Sequence, residues 1–461
     1  MSTNSSIAPV AHSTSSQAPT PPDRLAWFRD ARYGLFIHWG PSAALGFGEQ
    51  GMLRESINQT DYEQRACQWD PQHFDARQWA RIAVEGGFRY AVFTAVHHDG
   101  YCNWDTQLTD YSSARQAPKR DFVREYVEAF RDTGLRVGLY FSLGDFRIPG
   151  YWSNSTDDPP EWVDYRNYTH GRLRELLTNY GQIDLVWFDG AWPHNAQAWQ
   201  SDRLLAMCRK LQPNIITNNR LDSESVYGTA EGAMENPGES NTLGDFGTPE
   251  HHTTPDPHRP WESCQVSTSR LWGFAPGEHW RPAWDLLRNL CTCATQRGNL
   301  LLNVGPDADG RIPPQFIQRS QALGQWLEIN GEAVYGQGGG DVTEFLARGY
   351  QTVRNDTLYL ILCYQTDPPD VRVTGFKTRV TAARLLGSDR PLTVEQDRDV
   401  LWVRNVPAAD EHDLPLFPVI AMECDSPPEP TDLAQQRIWS GDPLRYRPWA
   451  QARGNTPFVG R

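Results

Sequence analysis

From Asp23 onward the chain alternates short apolar runs with amphipathic stretches that end at glycine, at an interval of about 45 residues. That rhythm leaves few folds open, because a buried strand followed by a helix returns the chain to start a parallel neighbour. Tyr33–Trp39, Phe88–Val96, Arg136–Ser142, Ile183–Asp189, Asn214–Asn219 and Asn299–Val304 read as the strands. The stretches Phe74–Gly86, Asp121–Thr133, Gly171–Asn179, Asp202–Leu211, Pro282–Gln296 and Pro314–Asn330 read as the helices. In the second of these, Val123, Tyr126, Val127 and Phe130 recur at helical spacing and Gly134 closes the run. The repetition is too regular for a mixed α+β fold and predicts an α/β architecture, a (β/α)8-type TIM-like barrel over 23–337. Leu221–Trp280 breaks the rhythm with Gly, Pro, Glu and His, and reads as long loops of the kind that carry function.

After Gly338–Gly340 the character changes to short alternating runs, Thr357–Tyr364, Val371–Thr374, Val380–Leu386 and Val400–Val403, with Pro, Gly and Asp in the turns. These predict a C-terminal all-β sandwich over 338–425 that braces the barrel. Residues 1–22, made mostly of Ser, Thr, Ala and Pro, read as a disordered lead, and 426–461 as a Pro-, Gln- and Arg-rich tail. The lead has neither a basic start nor an apolar core, so a cytoplasmic location is expected. The chain nowhere approaches the ~20 apolar residues of a membrane span.

With 43 Lys and Arg against 57 Asp and Glu, the net charge of −14 argues against nucleic acid and anionic membranes as partners. Neutral ligands fit better, and 18 Trp, 17 Tyr and 18 Phe supply flat faces for the CH-rich sides of sugars as well as a large core. The 8 cysteines show neither a disulfide framework nor zinc spacing, since Cys291-Thr292-Cys293 lacks a second pair.

The most informative strand is Gln182-Ile183-Asp184-Leu185-Val186-Trp187-Phe188-Asp189-Gly190, which runs apolar and stops on a carboxylate. Alternation puts Leu185, Trp187 and Asp189 on one face, where an acid beside an indole suits a nucleophile at a sugar; a turn aspartate before glycine is the plainer reading. The same alternation pairs Phe36 with His38, Tyr140 with Ser142, and Asn218 with Arg220, while Phe88–Val96 runs into His97-His98-Asp99-Gly100. Polar groups therefore gather at the strands' carboxyl ends, the face on which barrel enzymes place their sites. His38, His97, His98 and Asp189 are all metal-ligand types, but adjacent histidines on a strand point to opposite faces, so hydrogen bonding to hydroxyls is expected and no metal or cofactor.

Tyr33-Gly34-Leu35-Phe36-Ile37-His38-Trp39-Gly40, His97-His98-Asp99-Gly100, Trp187-Phe188-Asp189-Gly190, Gly244-Asp245-Phe246-Gly247-Thr248-Pro249-Glu250, Trp261-Glu262, Trp272-Gly273-Phe274 and Gly298-Asn299-Leu300-Leu301-Leu302-Asn303-Val304-Gly305-Pro306 occur in this order. The chain from about Trp27 to Tyr335 thereby resembles the α-L-fucosidases of glycoside hydrolase family 29. The resemblance implies a barrel followed by a β-sandwich, and retaining hydrolysis of a fucosylated oligosaccharide or glycoconjugate without a cofactor. It implies Asp189 as nucleophile, His38, His97, His98 and Arg220 as sugar ligands, and Tyr140, with Phe141 as the alternative register, beside them. It places Phe36, Trp187 and Trp272 around the fucose methyl group, and Glu49 at the pocket edge. Where the family commonly has Glu-Trp, this chain has Glu49-Gln50, which implies an altered aglycone preference. For the acid/base it implies Glu250, with Glu262 and Glu231 as alternatives. Many such barrels associate, so a homo-oligomer is in keeping with the resemblance. A metal-dependent hydrolase on the same barrel and an inactive fucose-binding protein are the competing readings.

Overall fold

The computed structural model describes residues 23–221, 243–256, 258–336, 348–364, 369–388, 391–407 and 417–431. Seven strands, β1 (Tyr33–Ile37), β2 (Tyr90–Val96), β3 (Arg136–Ser142), β4 (Leu185–Asp189), β5 (Ile216–Thr217), β6 (Glu262–Val266) and β7 (Asn299–Val304), form one sheet in the order β5-β4-β3-β2-β1-β7-β6. Every pairing in it is parallel. The two edges, β5 and β6, are joined through an irregular segment, residues 246–250. Phe246 bridges Asn218 just past β5, while Gly247 bridges Trp261 and Glu250 bridges Cys264 on the β6 side, all parallel.

This segment is the eighth stave of the barrel, and it corrects the expectation that 221–280 is all loop. Its Gly-Thr-Pro sequence explains the irregularity, since Pro249 has no N–H for a ladder, and its carbonyl instead accepts from Cys264 N–H at 3.1 Å. β6, inside the same stretch, was also hidden. Its residues Glu262, Ser263 and Gln265 are polar yet buried, beside apolar Cys264 and Val266.

Period-two alternation sorts the barrel as expected. Phe36, Val92, Tyr140, Leu185, Trp187, Ile216 and Leu301 fill the interior, while Leu35, Phe93, Leu139, Phe141, Val186 and Phe188 face the helices. The helix Phe122–Asp132 shows how the outer layer is held. Asp121 caps it by accepting from Arg124 N–H, a contact worth ~1 kcal/mol. Its Tyr126 hydroxyl reaches the carbonyls of Ala91 and Gly138 at 2.8 and 3.1 Å, tying it to β2 and β3.

The second sheet contains β8 (Gly349–Arg354), β9 (Thr357–Leu362), β10 (Val371–Thr374), β11 (Val380–Leu385), β12 (Pro391–Asp397), β13 (Val400–Arg404) and β14 (Val419–Cys424). They run antiparallel in the order β10-β13-β12-β11-β14-β9-β8. Leu358, Leu360 and Leu362 of β9 pack with Ile420, Met422, Leu401 and Val371 in the module's own core. The alternate residues Tyr359 and Ile361, with Val419 and Ala421 of β14, enter the barrel's main core instead. One pair of strands thus serves two cores, and this shared layer braces the barrel. The boundary at 337/338 lies outside the described residues, as do 1–22 and 432–461. Residues 426–431 return to the module, where Pro430 bridges Phe376. All eight cysteines are free, and no described helix is long and apolar enough to cross a membrane.

Candidate active site

Asp189 ends β4 with its carboxylate in the barrel mouth, and three groups converge on it. Tyr140 Oη donates to Oδ2 at 2.8 Å, Arg220 Nη1 lies 3.5 Å from Oδ1, and His98 Nε2 lies 3.6 Å from Oδ2. Tyr140 follows from its register opposite Trp187 in the β3–β4 ladder, which settles the choice against Phe141 on the helix side. Burial first, and then Asp189 itself, hold the Tyr140 phenol well above its usual value, so it remains a donor. Gly190 has φ +71° and a Cβ there would lie 2.8 Å from Ser142 Oγ, so the residue after the carboxylate has to be glycine.

Arg220 joins the two acids. Its Nη2 lies 2.8 Å from Glu250 Oε2, and Thr248 fixes it through Oγ1 and the carbonyl at 3.0 and 3.1 Å. The guanidinium rests 4.7 Å over the Trp187 ring. Burial pulls its pKa down, but Glu250 and Asp189 outweigh burial and hold it above the ordinary arginine value. The side chain of Asp189 is 12% exposed and that of Glu250 30%, so one acid is enclosed and the other stands at the mouth.

Burial favours the neutral form of the three histidines, and neighbours fix the tautomers of His98 and His38. Burial pushes His98 down despite the Asp189 and Glu250 carboxylates; His38 falls to about 3, and His97 also lies well below its usual value, burial again leading. Ser142 Oγ uses its proton on the Gly144 carbonyl, so it accepts from His98 Nδ1–H at 2.7 Å and leaves Nε2 bare toward Asp189. Asn303 Nδ2 donates to the Trp272 carbonyl, so its Oδ1 accepts from His38 Nδ1–H at 2.7 Å. Bare imidazole nitrogens in the cleft are acceptors for ligand hydroxyls. His97 stacks on Tyr140 with rings 5.1 Å apart, while its neighbour His98 reaches Asp189. The expectation that adjacent histidines diverge fails because β2 stops at Val96, and past it the chain turns free of strand alternation. Among the described residues no group of three or more His, Cys, Asp or Glu is arranged to hold a metal ion.

Phe36, Trp187 and Trp272 form one apolar wall, Phe36 lying 5.1 Å from Trp187 and 5.8 Å from Trp272. Glu49 holds that wall in place, its Oε2 accepting the backbone N–H groups of Trp272 and Gly273 at 3.0 and 2.8 Å. His251 stacks on Trp272 and puts Nε2 3.6 Å from Glu250 Oε1. Sequence reasoning missed Asn303 and His251. A polar residue interrupting an apolar strand was the available signal for Asn303; His251 carried none.

Glu262 is not at the mouth. It is fully buried, accepting from the Tyr90 hydroxyl and from Trp187 Nε1 at 3.1 Å, and burial raises it to about 7 despite those donors. It therefore supports Trp187 from within and is set aside as an acid/base. Glu231 lies outside the described residues.

These shifts predict how stability follows pH. Burial holds His38, His97 and His98 below the ~6.5 at which they titrate unfolded, so each removes up to ~1.4 kcal/mol per pH unit as pH falls below that value. Glu262 and Asp99, raised to about 7 and about 6 chiefly by burial, act oppositely, binding protons in the fold before the unfolded chain does. Burial lowers His170, His194 and His251 as well and raises Asp121, so six histidines outweigh three acids and the urea midpoint at pH 5 is expected below that at pH 7.5. Glu262→Gln removes one opposing group, and the decline should be steeper in that variant; equal slopes would refute the assignment.

A family model described as Alpha-L-fucosidase matches residues 4–332. The plasma α-L-fucosidase of Pongo abelii is 31% identical over 334 residues, 67% of this chain and 69% of that protein; its Homo sapiens counterpart is 30% identical over the same shares. The structure is similar to α-L-fucosidase isoenzyme 1 from Paenibacillus thiaminolyticus, with TM-score 0.78, 32% identity, and 87% of this chain and 99% of that one covered. It is also similar to a glycoside hydrolase family 29 α-L-fucosidase from Bacteroides thetaiotaomicron trapped as a covalent intermediate in complex with 2-fluoro-fucosyl fluoride, with TM-score 0.74, 27% identity, and 90% and 98% covered. On the family match and these relatives, the chain belongs to the α-L-fucosidase family, glycoside hydrolase family 29.

Proposed function

We propose that this retaining α-L-fucosidase uses Asp189 as its nucleophile and Glu250 as its acid/base on fucosylated oligosaccharides or glycoconjugates. The observation that carries the reading is the Arg220 bridge, one guanidinium between both carboxylates, which confines them to a single cleft. Double displacement calls for such proximity, with carboxyls ~5–5.5 Å apart. Asp189 attacks the anomeric carbon as its bond to the leaving oxygen breaks, and Glu250 gives that oxygen a proton. A water then gives its proton to Glu250 and its oxygen to the anomeric carbon, freeing Asp189. Tyr140 aims the nucleophile, and the bare nitrogens of His98 and His38 accept from sugar hydroxyls. His97, stacked on Tyr140, and Arg220 complete the set of sugar ligands.

In this reading the wall of Phe36, Trp187 and Trp272 faces the C6 methyl group. An apolar wall rejects an added hydroxyl only moderately, so the aryl α-L-galactoside should be cleaved ~10²-fold less efficiently than the α-L-fucoside. A kcat/KM ratio near one would remove the methyl pocket. Following the first-formed product by NMR tests the chemistry itself. The α-anomer of L-fucose is expected first, and the β-anomer appearing first would end the double-displacement reading.

A further inference from the structure

A run of aromatic rings leads out of the pocket to the surface on the loop after β3. Phe146 stacks on His98, centroids 5.0 Å apart and planes at 27°, and Trp152 lies 5.4 Å beyond Phe146 at 38°. The backbone fixes both rings, because Phe146 N–H donates to the His98 carbonyl at 2.8 Å and Trp152 Nε1 donates to the Phe146 carbonyl at 3.0 Å. The buried Tyr151 ring meets the indole edge-on at 4.8 Å, and an Asp145–Arg147 ion pair at 2.8 Å pins the loop between. Trp152 is thus held by three contacts while 49% of it stays open to solvent.

We propose that Trp152, with Phe146 beneath it, is the platform for a pyranose ring of the glycan that carries the fucose, a leaving-group subsite continuous with the pocket. The proposal rests on the fucosidase reading above and extends it. An indole whose rotamers are already fixed stacks on the CH face of a sugar without further ordering. His98, which reaches Asp189 on one side and Phe146 on the other, makes the platform and the cleavage site neighbours. The second ring therefore leans on the β3 side, through apolar contact.

The test compares two substrates in Trp152→Ala. α-L-Fucosyl fluoride has a one-atom leaving group that cannot reach the indole, whereas a fucosylated disaccharide can. Fluoride release is expected within about twofold of the parent, while KM for the disaccharide rises about 5- to 10-fold with kcat within twofold. Trp152→Phe, keeping a ring, should recover most of the loss. Any result in which the disaccharide is not selectively impaired, whether both substrates fall alike or neither falls, overturns the platform. Failure of the parent enzyme to release fluoride would instead strike at the fucosidase reading itself, so the two failures are distinguishable.

Discussion

Asp189→Ala is expected to lower kcat by about 10⁴-fold or more while L-fucose still binds, because the covalent step loses its nucleophile and the sugar's other partners remain. The fold should tolerate the change. Arg220 keeps Glu250 at 2.8 Å and both Thr248 contacts, so no buried guanidinium is orphaned. Tyr140 loses its acceptor, a loss of ~1–3 kcal/mol, and Arg220 Nη1 gives up only its 3.5 Å contact with Oδ1. Asp189→Gly opens room for a small anion on the face the carboxylate left. With azide and an activated α-L-fucoside it should form β-L-fucosyl azide, with the azide nitrogen bonded to the anomeric carbon as the leaving group departs. Retention of a tenth of the parent's activity in Asp189→Ala, or azide rescue giving the α-product, would reassign the nucleophile.

The barrel was legible because burial on both strand faces leaves a strong mark. β3 and β7 fall where apolar runs predict them, and β4 ends on Asp189 as alternation requires. The eighth stave was illegible for a physical reason. Its pairing is carried by single bridges around Gly247 and Pro249, residues that signal a loop in any local reading, and only the two open edges of the sheet reveal its role. The helix Gln59–Gln68 was missed because it is largely polar, with only Tyr62 and Ala66 buried, and so lacks a stripe. The histidine pair failed differently, since alternation was extended past the strand's end. Between Glu250 and Glu262, both carboxylates near the mouth in sequence terms, only burial decides. Twelve residues separate them, yet one meets solvent and the other is sealed under Trp187.

That contrast gives Glu250 the more revealing variant. Glu250→Ala should slow a fucosylated disaccharide by about 10²–10⁴-fold, because its sugar leaving group needs the proton the glutamate supplies. α-L-Fucosyl fluoride needs none, so its first step should proceed near the parent rate. The second step then has no base for its water, and the enzyme should accumulate with one fucosyl group esterified to Asp189, visible as a burst of fluoride and an added mass on the intact protein. Azide, already an anion, requires no base and should restore turnover by attacking the ester-bound carbon, giving α-L-fucosyl azide with two inversions. The variant should stay folded, since Arg220 retains Asp189 and Thr248 and Glu250 is the more exposed acid. Opposite azide products from the two variants, β from Asp189→Gly and α from Glu250→Ala, would divide the roles between the carboxylates without reference to their distance. If Glu250→Ala instead slows both substrates by one factor and no adduct forms, the proton comes from elsewhere in the cleft, and His251, 3.6 Å from Glu250 and stacked on Trp272, is the next group to replace.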